Sequence, residues 1–188
     1  MEILSRFLPR AEFSSYDDFF SNFRVEVPAG FNFAFDVVDE RAARTPQAPA
    51  LVWCDPDGRE AAFTFADVKA WSDRAANVFA AAGVKKGDAV MLVLKRRYEY
   101  WFALLGLHKL GAVAIPATHL LREKDIVYRV RAAKIGAIVS VGEPGLLAHV
   151  DAAAAQCPEL RVKAHVGGGA RPGWLDFSAA SWFMALLR

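Results

Sequence analysis

The sequence predicts an α/β domain: a parallel β-sheet with helices on both faces. Three observations carry this reading. From Thr64 onward, short apolar runs alternate with helical segments of about ten residues, which requires crossover connections between parallel strands. The runs Ala89–Leu94 and Ala112–Ile115 are apolar throughout, as strands covered on both faces must be. Hydrophobic residues make up 54% of the 188 positions and charged residues 23%, enough to build a core and too apolar for a disordered chain.

The elements follow in order. Phe13, Tyr16, Phe19, Phe20 and Phe23 recur at helical spacing, which predicts an amphipathic arm over residues 1–30 that packs on a larger body. Pro28 and Gly30 end it. A helix is expected from Phe33 to Arg44, closed by Thr45 and Pro46. Strand Ala50–Trp53, the turn Asp55-Pro56-Asp57-Gly58 and a strand to Phe63 predict a hairpin. Thr64 and Asp67 have the spacing of a capping box. In the helix that follows, Val68, Trp71, Ala75, Val78, Phe79 and Ala82 share a face, which also takes in Asn77. Asp88 suits the cap of a turn. Next come strand Ala89–Leu94, helix Tyr98–Leu110 with Gly111 as its C-cap, and strand Ala112–Ile115. Helix Glu123–Ala133, strand Ala137–Val141, helix Leu146–Ala155 and strand Leu160–Val166 complete the pattern.

Several function classes drop out. A net charge of +2 with scattered basic residues argues against a nucleic-acid partner, and Lys95, Arg96 and Arg97 read as the flank of a strand end. No segment reaches the roughly 20 apolar residues of a membrane span. Residues 1–10 are broken by Glu2, Arg6 and Pro9 and make no secretory leader. Cys54 and Cys157 match no zinc spacing and no disulfide framework, so a reducing, cytoplasmic setting is expected.

At Phe63–Val141 the chain resembles the amino-terminal subdomain of the adenylate-forming superfamily, in its acetyl- and medium-chain acyl-CoA synthetase branch. The resemblance rests on linked pieces. FTFADVKAWSDRAANVFAAAGVKKGDAVMLVL is similar to the family's first strand, Ala-Asn helix and Gly-Val-x-x-Gly-Asp turn. YEYWFALLGLHKLGAVAIP and LLREKDIVYRVRAAKIGAIVSV are similar to the next two helix–strand units. FNFAFDVVDE and CPELRVKAHVGGGARPGWLDF extend it, so residues 31–177 read as a partial, incomplete amino-terminal domain. Residues 178–188, SAASWFMALLR, diverge and read as a tail, as a truncated reading frame would produce.

The resemblance implies, for a full-length relative, ATP- and Mg-dependent activation of a carboxylate to an acyl-adenylate and transfer to coenzyme A. It places that chemistry on a Ser/Thr/Gly-rich loop ending in Pro-Lys and on a distant catalytic lysine. Neither occurs here, nor does G-x-x-x-x-G-K-[ST] or G-x-S-x-G. The expectation is therefore no catalytic residue, no metal ligand and no cofactor tightly bound by this chain alone. Gly167–Gly169 lack hydroxyl neighbours and a following lysine, and read as a turn. His108, His119, His149 and His165 form no ligand spacing. The resemblance puts Arg129 near the nucleotide end of coenzyme A, where a forked cation suits a phosphate. A solvated helix face shared with Arg122 and Arg131 explains the same residue, and both readings stay open. Trp71, Tyr98, Trp101 and Phe102 read as core, or as packing for the rest of a ligase. Two partner readings follow: the remainder of a split ligase, or self-association of an interaction module through exposed apolar surface.

Overall fold

The computed structural model describes residues 4–183. A short helix α1 (Tyr16–Asn22) is followed by a π-helical segment, Ala34–Asp39, that continues into α2 (Glu40–Arg44). The expected single helix over Phe33–Arg44 thus has a wide first half. Side chains compete with the backbone ladder there: Asn32 Oδ1 accepts the Ala34 N–H at 3.0 Å, and Asp36 accepts the Asn32 N–H at 2.7 Å.

Strands β1 (Pro49–Cys54) and β2 (Glu60–Thr64) form the expected antiparallel hairpin. Helix α3 (Phe65–Ala81) starts from a complete capping box. Thr64 Oγ1 accepts the Asp67 N–H at 3.2 Å, and Asp67 accepts the Thr64 N–H at 2.9 Å. Then follow β3 (Ala89–Val93), α4 (Glu99–Leu110), β4 (Val113–Pro116), α5 (Glu123–Ala133), β5 (Ile135–Val141), α6 (Pro144–Ala154) and β6 (Val162–Val166). Gly111 closes α4 in the left-handed conformation, with φ 68°. Asp88 caps its turn, accepting the Lys85 N–H at 2.9 Å. Two elements were not anticipated: the two-residue strand β7 (Leu175–Asp176) and helix α7 (Phe177–Phe183). Helix α7 takes up the first part of the expected divergent tail, and residues 184–188 of that tail lie outside the described residues.

The five-stranded sheet is parallel throughout, in the order β4-β3-β5-β6-β7. Strand β3 lies in its middle and shows why a wholly apolar run belongs there. Val90, Leu92 and Leu94 point to one face and pack with Phe79, Phe102 and Leu107 from α3 and α4. Met91 and Val93 point to the other and pack with Ile126, Val130, Leu146 and Val150 from α5 and α6. Each such side chain is at most 5% exposed, and its burial contributes roughly 1.5–3 kcal/mol. Helices α3 and α4 approach closely at Gly106, where a Cβ would lie 2.8 Å from Ala75 Cβ.

Two expectations fail here. Asn77 is exposed and lies off the apolar face of α3. The aromatic helix of the arm does not pack on the body: α1 buries no residue, and Tyr16 and Phe20 are 73% and 74% exposed. The rings there pack on one another instead, Phe13 on Phe19 at 5.2 Å and Phe19 on Phe23 at 4.9 Å. The arm meets the body through Arg6, which donates to the Asp36 carbonyl at 3.3 Å and pairs with Glu40, and through Phe7, whose ring lies 5.3 Å from that of Phe31. Helical periodicity fixes which residues share a face, but not what that face meets.

Candidate functional site

In open parallel sheets, ligands bind beyond the carboxyl ends of the strands, where successive connections diverge to opposite sides. Here β3 connects through α4 to β4 on one side, and β5 connects through α6 to β6 on the other. The switch point therefore falls between β3 and β5. Lys95, just past β3, pairs its ammonium with the Glu143 carboxylate just past β5. Lys95 holds a left-handed backbone, with φ 50°, a conformation sparsely used by residues other than glycine.

Beside this pair, a groove of about 350 Å³ opens between the ends of β3 and β4. Leu92, Leu94 and Pro116 line its apolar part; Lys95, Tyr100, Thr118 and His119 supply an ammonium, two hydroxyls and an imidazole. An apolar trough edged by one cation suits a ligand with an apolar arm and an anionic or hydrogen-bonding head. The three basic residues after β3 diverge, so they make no patch. Lys95 goes to Glu143, Arg97 donates to Glu99 at 2.6 Å, and the Arg96 carbonyl accepts the Trp53 indole N–H at 2.5 Å.

A second cluster lies toward the opposite edge of the sheet, also near the carboxyl ends of its strands. The register sets Ser140, His165 and Asp176 side by side on β5, β6 and β7. These are the residue types of a nucleophilic triad, yet their hydrogen bonds go elsewhere. Ser140 Oγ donates to the Val141 carbonyl at 3.1 Å, and His165 Nδ1 lies 2.6 Å from the Gly167 carbonyl oxygen. Asp176 accepts the Ala179 N–H at 3.0 Å. Ser140 is 0% and His165 1% exposed, so no substrate reaches them. The row is structural.

The Gly167–Gly169 turn is firmly placed. Its three residues all have positive φ, and Gly142 passes so close that a Cβ there would fall 2.1 Å from the Gly167 oxygen. Asp151 on α6 secures the segment that follows, accepting from Arg171 at 2.6 Å, Lys163 at 2.5 Å and the Trp174 indole at 2.9 Å. Burial pushes the Asp151 carboxyl up, but these hydrogen bonds outweigh it and hold it below the ordinary aspartate value.

Arg129 lies half-buried on α5, and its guanidinium donates to the Asp125 carbonyl at 3.1 Å. Among the described residues it makes no ion pair, while Arg131 donates to the Gln156 carbonyl at 3.0 Å. Trp71, Tyr98 and Phe102 pack together, with Trp71 stacked on Phe102 at 5.8 Å, whereas Trp101 is 49% exposed. Among the described residues no three His, Cys, Asp or Glu side chains gather so as to hold a metal ion, and no helix is long and apolar enough to cross a membrane. The Lys95–Glu143 pair escaped the sequence reading because its partners stand 48 residues apart. The available signal was a charged residue two positions after the end of each of two apolar strands.

Comparison with known proteins now adds ancestry. The mitochondrial acyl-coenzyme A synthetase ACSM5 of Rattus norvegicus is 39% identical over 157 residues, covering 80% of this chain and 27% of the relative. The mitochondrial acyl-coenzyme A synthetase ACSM2A of Homo sapiens is 39% identical over 158 residues, covering 81% and 27%. The chain thus spans about a quarter of the length of these relatives. The acetoacetyl-CoA synthetase structure from Streptomyces lividans superposes with a TM-score of 0.73 at 23% identity, over 80% of this chain and 25% of that one, a likeness of fold. These mitochondrial relatives overturn the cytoplasmic setting expected from cysteine usage; scarce, unpaired cysteines do not tell one reducing compartment from another. The family described as "AMP-binding enzyme" matches residues 38–182, and the chain belongs to it.

Proposed function

We propose that this chain is the amino-terminal part of an ATP-dependent acyl-CoA ligase, contributing scaffold and a coenzyme-facing surface but not the reacting groups. In the whole enzyme a carboxylate, here of the fatty-acid class, is activated to an acyl-adenylate and passed to coenzyme A. The observation that carries this reading is the 39% identity to acyl-coenzyme A synthetases over four-fifths of the chain. ATP, Mg and coenzyme A belong to that whole enzyme. The described residues offer no carboxylate cluster fit to hold Mg, so the ion is held by other parts of the ligase. The sequence has no phosphate-binding loop, so the chain alone does not adenylate.

Arg129 contributes a phosphate contact to the nucleotide end of coenzyme A. Its guanidinium has no competing carboxylate among the described residues, which leaves its charge available. An ATP–pyrophosphate exchange assay on the purified chain gives no carboxylate-dependent turnover; measurable exchange would end the proposal. Coenzyme A binds this chain weakly, more tightly than its form lacking the 3′-phosphate, and Arg129→Ala removes that difference. Equal binding of both forms by the unaltered chain would remove Arg129 from the role.

A second reading, a stand-alone interaction module or half of a split ligase, draws on the uncovered aromatic arm α1. Mixing the chain with a polypeptide that supplies the remainder of a relative decides between them. Restored thioester formation favours the split ligase, and its absence despite stable association favours the module.

A further inference from the structure

Between β2, α3, α4 and α7 lies a cavity of about 130 Å³ with no part in the activity proposed above. Phe63, Trp71, Tyr98 and Phe102 wall it. Their rings brace one another: Phe63 meets Phe102 edge-on at 5.2 Å, Trp71 stacks on Phe102 at 5.8 Å, and Tyr98 lies 5.9 Å from Phe102. The walls therefore come from three elements and are held in place before any ligand arrives. The volume is close to that of engineered apolar cavities of about 150 Å³ that stay dry and take up benzene.

Two polar groups line the same space, and they differ. Glu99 is 7% exposed, and both its oxygens are taken by Arg97, at 2.6 and 3.1 Å. That bidentate pair cancels its charge. Ser178 Oγ is inaccessible to water and has no hydrogen-bond partner among the described residues. A buried hydroxyl left alone is unfavourable, and a ligand group that completes its hydrogen bond removes that penalty. A cationic guest is disfavoured, because two of the rings already carry cations. The Arg74 guanidinium lies 4.6 Å from the Trp71 ring centroid, and that of Arg97 lies 5.8 Å from the Tyr98 centroid.

We propose that this cavity is a binding site for a neutral, ring-sized aromatic molecule bearing one hydroxyl, which pairs with Ser178 Oγ. Phenol, benzene and benzyltrimethylammonium are the probes, titrated into the full chain and followed by NMR on both ligand and protein. Phenol binds saturably at one site, with shifts concentrated at Trp71 and Phe102. Benzene binds at least threefold more weakly and the cation at least tenfold more weakly. Ser178→Ala lowers phenol to the benzene level and leaves benzene unchanged. Ser178→Leu, which fills the space, weakens both rings at least tenfold with the thermal midpoint retained. Where that larger side chain prevents folding, the Ser178→Ala comparison decides alone. Phenol shifts that do not saturate, shifts centred elsewhere, a cation bound as well as phenol, or a phenol preference that survives Ser178→Ala each overturn the proposal. Coenzyme A binding is separate in every arm, so the result does not bear on the ligase reading.

Discussion

Two ion-pair clusters in this chain use the same chemistry to opposite ends. At the junction of the π-helical segment, α3 and α4, Lys109 bridges Asp39 at 2.8 Å and Asp73 at 2.6 Å, with its side chain only 3% exposed. At the switch point of the sheet, Lys95 pairs with Glu143 while their side chains remain 34% and 44% exposed. The first ammonium has left water and depends on its carboxylates. The second keeps much of its hydration and can exchange its partner. Burial, not the presence of a salt bridge, separates a staple from a group free to meet a ligand.

The sharpest way to break the comparison is to remove the buried cation. Lys109→Met leaves two carboxylates facing each other near the protein interior, with only the more exposed Lys69 nearby, 2.7 Å from Asp73. The expected loss is about 3–5 kcal/mol in urea unfolding. A Lys109/Asp73 double-mutant cycle then gives a coupling above about 1 kcal/mol. A loss below about 1 kcal/mol would show that the cluster is solvated after all.

Next in size is the helix contact beside this cluster. Gly106→Ala drives a methyl to 2.8 Å from Ala75 Cβ and the Ala76 backbone nitrogen, so α3 and α4 must separate. Overpacking of this kind costs about 1–3 kcal/mol, read as a lower urea midpoint with an unchanged slope. The same substitution at the exposed Gly145, whose Cβ would meet nothing within 4 Å, serves as the control.

Acid sharpens the contrast without mutation. Burial pushes the Asp73 carboxyl up, but hydrogen bonds from Lys109 and Lys69 outweigh it and hold it below its ordinary value of 3.8. A group with a depressed folded value contributes its stability fully above the unfolded value. That contribution is lost as pH falls below about 4 and through the folded value. Asp73→Asn therefore flattens the acid limb of the stability curve. His108 titrates in a different window. Burial lowers its folded value below 6.5, so stability falls as pH drops beneath 6.5, and His108→Gln removes that step. A pH profile indifferent to both substitutions would show that neither group feels its surroundings.

These clusters also mark where sequence reading works and where it stops. Thr64 with Asp67, Gly111 after α4 and the span of α5 were legible because each is set by neighbours within a turn or two. The apolar run of β3 was legible because burial on both faces leaves a compositional mark. Lys109 was not, since Asp73 and Asp39 lie 36 and 70 residues away and only the folded chain joins them. Strand β7 has two residues, too few for periodicity, and exists because β6 offers an edge. The site followed the same rule. Arg129 is a proposal drawn from family resemblance, whereas the groove at Lys95 and His119 arises only where two strand ends meet.

The smallest expected effect tests the comparison most closely. Lys95 carries a left-handed backbone that costs roughly 1 kcal/mol in a residue other than glycine, and its exposed pair with Glu143 contributes at most about 1 kcal/mol. The two terms nearly cancel, and substitutions separate them. Lys95→Gly relieves the strain while losing the pair, so its urea stability stays within about 0.5 kcal/mol of the parent. Lys95→Ala loses the pair but keeps the strain, so it falls about 0.5–1 kcal/mol lower. Added salt erases the contribution of the pair and leaves that of the strain. If Lys95→Ala instead lost more than about 2 kcal/mol, the switch-point pair would be a staple like Lys109, and the groove beside it would lose its exchangeable cation.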